Sequence, residues 1–113
     1  MHEYSIVQAL VDRVTAEARA RGASSVGRLS VRIGELSGVD PGLLSSAFLA
    51  FRDGTICAGA EMTVQPVAAR WECPRCGRGI PRGEVLRCGA CGVPAQLTEG
   101  DEIVLDGIEM EVS

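Results

Sequence analysis

Two short stretches constrain this chain more than any others: Cys73-Pro74-Arg75-Cys76-Gly77 and Cys88-Gly89-Ala90-Cys91-Gly92, separated by a short Arg- and Gly-rich loop. Two residues between cysteines let both sulfurs reach one ion from a single tight turn, and tetrahedral zinc takes thiolates in such pairs. The glycine after each second cysteine permits the left-handed backbone that such a turn needs. Two turns facing each other complete a four-sulfur site, which the spacing favours over a disulfide pair or an iron centre. Four thiolates close the coordination sphere, and a closed zinc site is structural. The expectation is therefore structural Zn(II) on Cys73, Cys76, Cys88 and Cys91, with the function elsewhere. Thiols kept as ligands fit a reducing compartment. With no apolar run long enough to span a membrane and no basic-then-apolar leader, the expected location is the cytoplasm, without membrane insertion.

Hydrophobic patterning supplies the rest of the fold. Ile6, Leu10, Val14 and Ala18, widened by Val7 and Val11, predict a helix over 4–21, with Arg19 and Arg21 in its last turn and Gly22 as its stop. Leu29, Val31 and Ile33 alternate with Arg28, Ser30 and Arg32, which predicts a half-buried strand over 26–35. Asp40-Pro41 opens a second helix, with Asp40 as cap and Leu44, Ala47, Phe48 and Phe51 as its apolar stripe, ending at Gly54. A strand over 61–67 contains Pro66, which places it at an edge or at its own end. In the last strand, over about 102–112, Ile103 and Leu105 fall out of phase with Ile108, Met110 and Val112, so a bulge or bend is expected near Asp106-Gly107. The predicted fold class is α+β: a small sheet of about three strands packed with two helices, interrupted before its last strand by a four-cysteine, zinc-ribbon-like lobe. The expected division is a discontinuous base domain, 1–69 with 93–113, and a zinc-binding domain, 70–92.

Charge narrows the partners. The net charge is −4, and all eleven basic residues are arginine. Arg70, Arg75, Arg78, Arg82 and Arg87 lie in or beside the cysteine segment, where guanidinium groups offset the net negative charge of a four-thiolate zinc site. A basic face for an acidic partner is the other reading. Glu99, Asp101, Glu102, Asp106, Glu109 and Glu111 form a tail segment without a basic residue, which argues against a nucleic-acid backbone as partner.

The one histidine is His2, in Met1-His2-Glu3. A lone histidine is ordinarily a surface residue, but this position has specific chemistry. The Met1 α-amine, the deprotonated His2 amide and the His2 imidazole form fused chelate rings around one metal, and the Glu3 backbone amide can supply a fourth nitrogen. Planar nitrogen donation suits nickel(II) or copper(II), whereas zinc prefers a tetrahedron.

Met1-His2-Glu3 before an amphipathic helix, then Ile33-Gly34-Glu35-Leu36-Ser37-Gly38-Val39, the paired cysteines, and an acidic strand ending Glu109-Met110-Glu111 together resemble the HypA/HybF family of nickel metallochaperones of [NiFe]-hydrogenase maturation. The resemblance spans essentially the whole chain, in order. It implies a transient Ni(II) cargo at an N-terminal site centred on His2, a structural zinc on the four cysteines, cooperation with a nickel-handling GTPase, and the hydrogenase large subunit as recipient. Some relatives carry histidines beside the zinc cysteines; this chain has none, so a coupling of the two metals through such histidines does not carry over.

Several residues keep two readings. Glu3 is an ordinary first-turn acid and Asp40 an ordinary cap, yet either carboxylate could orient the His2 imidazole if the second helix starts near the N-terminus. Cys57 reads as small buried filler, and Trp71 and Tyr4 as packing residues, with Tyr4 also able to flank the nickel site. A zinc-ribbon module binding nucleic acid or protein is the alternative function. It would need aromatic or basic residues spread over a strand face, and only Trp71 edges the ribbon. An enzyme is not expected, because no Ser or Cys nucleophile has a histidine base to pair with.

Overall fold

The computed structural model describes residues 2–112, with His2 represented by its backbone alone. Helix α1 (His2–Ala20) starts two residues before the apolar pattern does, because its first turn is polar and carries no phase information. It buries Val7, Leu10, Val11, Val14 and Ala18. Strand β1 (Ala23–Gly34) follows and buries Val26, Leu29, Val31 and Ile33. Asp40 then caps helix α2 (Pro41–Phe51): its Oδ1 accepts hydrogen bonds from Gly42 N–H at 2.8 Å and Leu43 N–H at 3.1 Å. Leu44, Ala47 and Phe48 are the buried face of α2. Cys57 is fully buried within the same core, as filler.

Strand β2 (Glu61–Val67) runs parallel to β1, with Val31 opposite Val64 and Ile33 opposite Pro66. It is an edge strand, so the missing N–H of Pro66 is not charged to an interior ladder. The lobe comes next, with β3 (Arg70–Glu72), β4 (Gly79–Ile80) and β5 (Gln96–Glu99). The chain returns to the base in β6 (Ile103–Val112), antiparallel to β1 on the other side from β2. Ser30 pairs with Gly107 and Val31 with Leu105, which leaves Asp106 as the extra residue. That bulge puts Ile103, Leu105, Ile108 and Met110 all against the core, as the phase change in the sequence required. Val112 departs from the expectation: it is 61% exposed at the strand's end.

The lobe has its own three-stranded sheet, ordered β4-β3-β5, which the sequence patterning did not show. Its strands are too short for alternation to register. Trp71 in β3 is the register partner of Ile80 in β4 and Leu97 in β5, and it is half-buried. Residues 96–99, on the base side of the expected boundary at 92, hydrogen-bond to β3 instead. The two sheets share no packed face, and the molecule is long: 57 × 28 × 17 Å, with a radius of gyration of 17.9 Å against about 13 Å for a compact chain of about 100 residues. No described helix is long and apolar enough to cross a membrane.

The two bodies meet at a backbone crossing. Gly34 N–H donates to Glu102 O at 2.8 Å, Glu35 N–H to Val67 O at 2.8 Å and Leu36 N–H to Gly100 O at 2.7 Å. A Cβ on Gly34 would fall 2.3 Å from the Gly100 carbonyl, and one on Gly100 would fall 2.6 Å from Ala69 Cα. Gly100 also holds φ at +99°, a conformation that side chains disfavour. Backbone on every side leaves neither site room to relax. Gly100→Ala should therefore lower stability by roughly 1–3 kcal/mol or more. Gly59→Ala, where an added Cβ meets nothing within 4 Å, should stay within about 0.5 kcal/mol of the parent. Urea unfolding of both variants checks this; equal midpoints would show that the crossing is not tight.

Candidate metal centres

Two matching turns build the cysteine site. In each, the N–H of the following glycine closes on the first cysteine: Gly77 N–H to Cys73 O at 2.9 Å, and Gly92 N–H to Cys88 O at 2.8 Å. Gly77 and Gly92 hold φ at +75° and +70°, the left-handed backbone the sequence called for. The turns aim amides at sulfur: Cys73 Sγ accepts from Arg75 and Cys76 N–H at 3.4 and 3.5 Å, and Cys88 Sγ from Cys91 N–H at 3.4 Å. The first cysteine of each turn, Cys73 or Cys88, is buried, Cys91 is half-buried, and Cys76 is exposed.

All four Sγ atoms lie within 4.8 Å of one another. Cys76 and Cys88 sulfurs are 3.8 Å apart, far beyond a disulfide bond of about 2.05 Å. Four sulfurs each about 2.3 Å from a central ion at tetrahedral angles would stand about 3.8 Å apart, so the cluster fits a tetrahedral metal. Its electrostatics need one. The Cys76 N–H, with help from Arg75 N–H and the neighbouring thiols, draws the Cys73 thiol down to about 6. Cys88 is lowered too, first by the N–H of Cys91. Cys91 goes the other way, pushed up to about 12, first by its hydrogen bond with Cys76. The amides thus favour thiolate at the first cysteine of each turn, while four thiolates together repel unless a cation sits among them.

Three arginines of the lobe have partners other than the sulfurs. Arg70 pairs with Glu99 at 3.7 Å, Arg87 donates to the Gly92 carbonyl, and Arg82 reaches Glu35 of the base.

The N-terminal chelate is described only in part. Met1 and the His2 side chain lie outside the described residues. The His2 backbone opens α1, where the first N–H groups have no intrahelical acceptor. Glu3 is half-buried and lines an apolar groove of about 230 Å³ with Tyr4, Leu43, Ser46 and Ala47. The start of α1 therefore does lie beside the first turns of α2. Tyr4 is 40% exposed on that groove, less a core residue than its sequence context suggested. Asp40 sits at the cap, exposed, with Oδ1 committed to the helix. Spacing gave no sign of the Glu35–Arg82 pair, which joins residues far apart in the chain.

The whole-chain comparisons bear on these two sites together. The family described as "Hydrogenase/urease nickel incorporation, metallochaperone, hypA" matches residues 1–110. The chain belongs to the HypA family. It is 38% identical over 114 residues to the hydrogenase maturation factor HypA of Aquifex aeolicus, covering 99% of each chain. It is 41% identical over 109 residues to that of Deinococcus radiodurans, covering 93% of this chain and 89% of the relative. The solution structure of the Ni metallochaperone HypA from Helicobacter pylori superposes with a TM-score of 0.75 at 29% identity, covering 98% of both chains. A second HypA solution structure superposes with a TM-score of 0.82 at 30% identity, covering 100% of this chain and 98% of that one. The family is one of nickel-incorporation metallochaperones, and the four-cysteine lobe is part of the matched region.

Metal binding and folding of the lobe should be one event, because Cys73 and Cys88 are the only buried apolar positions between residues 70 and 99. A strong chelator, or Cys88→Ser, should dissolve β3–β5 while the two helices and the β2-β1-β6 sheet persist. Amide NMR spectra read this directly. Affinity should fall as pH falls, since each ligand must lose a proton to bind; Cys73, drawn down to about 6, gives its proton up most readily, and Cys91, pushed up to about 12, holds it hardest.

Proposed function

We propose that this chain carries Ni(II) at its N-terminus and delivers it toward the [NiFe]-hydrogenase large subunit, with a structural Zn(II) holding the lobe. The observation that supports the cargo site most is the placement of His2 in the first turn of α1. There the His2 and Glu3 amides have no helical acceptor to lose, so deprotonation by a metal costs no internal hydrogen bond. The Met1 amine, the His2 amide and imidazole, and the Glu3 amide then surround nickel in one plane. Adjacent amide nitrogens become neighbours in that plane when ψ of the residue between them is near 0°, against about −42° in a helix. Nickel binding therefore unwinds the first turn of α1 rather than docking on it unchanged.

The Glu3 carboxylate, held beside α2, supports the reading that it orients the imidazole. Asp40 can share that task only through Oδ2, because Oδ1 serves the cap. Zinc on Cys73, Cys76, Cys88 and Cys91 follows from the tetrahedral all-sulfur donor set. The protein acts in the cytoplasm, without catalysis and without nucleic acid. A nickel-handling GTPase contacts the base near α1, since a metal released at His2 must be received there.

Nickel titration of untagged, zinc-loaded protein tests the site. His2→Ala should abolish binding with fold and zinc intact, and an N-terminal extension should do nearly the same by removing the free amine. Affinity should fall as pH drops below about 7, where protons compete for the amine (about 7.7–8.0) and the imidazole (about 6.5). Undiminished nickel binding by His2→Ala would place the site elsewhere. Crosslinks to the GTPase should map near α1; a map confined to residues 70–92 would contradict the proposed contact.

A further inference from the structure

Base and lobe are joined by two chain crossings and by no shared core: every buried residue of the main apolar cluster belongs to the base. The orientation of one body on the other must then be set by the crossings and by whatever reaches across them. Among the described residues, one ion pair does so: the Arg82 guanidinium, on the loop between the two cysteine turns, donates to Glu35 Oε1 at the end of β1. The same Oε1 accepts from Ala69 N–H at 2.8 Å, in the link between β2 and β3 that leads into the lobe. Glu35 thus grips both the root of the lobe and its far loop. Arg82 holds the carboxyl of Glu35 below the usual carboxylate range, with the Ala69 N–H second, and Glu35 in turn raises the guanidinium.

We propose that Glu35 and Arg82 form a releasable latch that fixes the orientation of the lobe on the base. The two halves of the contact differ in permanence. The Ala69 bond lies within the crossing, beside the Gly34–Glu102, Glu35–Val67 and Leu36–Gly100 backbone bonds, and stays when the lobe swings. The Arg82 bond closes a long excursion of chain, and both side chains are exposed, 70% for Arg82 and 36% for Glu35. Exposed pairs of this kind contribute little stability and are open to competition. A carboxylate on a docking surface can take Arg82 from Glu35 and free the lobe without unfolding either sheet. The contact therefore converts recognition at the lobe into a change of orientation relative to the start of α1.

Residual dipolar couplings on the metal-loaded full chain test this. At low salt, couplings from β1, β2 and β6 and from β3 and β5 should fit one alignment tensor. In Arg82→Ala the lobe couplings should shrink and require a tensor of their own, with metal content unchanged. Arg78→Ala, which removes a lobe guanidinium with no partner among the described residues, should behave as the parent. Raising salt on the unsubstituted protein to about 1 M, where the screening length is about 3 Å, should move it in the direction of Arg82→Ala and provides a reading that needs no variant. A single tensor retained in Arg82→Ala and at high salt would overturn the latch. So would separate tensors in the unsubstituted protein at low salt, or uncoupling by Arg78→Ala to the same extent.

Discussion

The lobe has no apolar interior, and the rest of the molecule is arranged around that deficit. Between residues 70 and 99 the fully buried apolar positions are two sulfurs, Cys73 and Cys88, and the strands run two to four residues. Such a segment cannot offset its own conformational entropy by burial. A metal on the four sulfurs would replace the missing core, since binding free energy at a thiolate site is folding free energy. The base meets the opposite condition: two helices cover one face of a three-stranded sheet, and its cohesion needs no ion. Two bodies with different sources of stability can respond to different signals while sharing one chain.

Separate cores also suit the proposed division of metals. The cysteine site is all sulfur, and four thiolates would close the coordination sphere of one ion. The proposed nickel ligands lie at the opposite extreme: a terminal amine, an imidazole and the first amides of a helix. A cargo site built from the first residues can open and close without disturbing either core. The groove lined by Glu3, Tyr4 and Leu43 places a mostly apolar surface beside the first turn of α1.

The sequence showed those features whose cause is local. The stripe of α1, the cap of α2 and the alternation of β1 each depend on neighbours a few residues away, and each stands where it was expected. The bulge at Asp106 was visible because a change of phase in an apolar pattern leaves few alternatives. The clustering of the four cysteines was legible for the same reason, two turns of identical spacing. The short strands β3, β4 and β5 were not, since two to four residues cannot display a period. Nor was the purpose of Gly34, which stands in a recognisable motif but whose need for glycine arises from Gly100, brought against it by the fold. Glu35 and Arg82 meet through tertiary geometry alone.

The pairing of β1 with β6 has a consequence for how the chain is made. The central strand of the base lies near the beginning of the sequence, and its antiparallel neighbour is the final segment. During synthesis the whole lobe emerges before β6 does, so the cysteine turns can acquire their ion while β1 still lacks a partner along one side. Bringing β6 back also means closing a loop that spans most of the chain, a cost that a prefolded lobe reduces by shortening the flexible path. A nascent chain starved of metal would carry a longer, looser excursion and an open strand edge for longer, the state in which small sheets associate wrongly. Metal supply would then bear on how quickly the base closes, even though the base holds none of the four cysteines of the lobe.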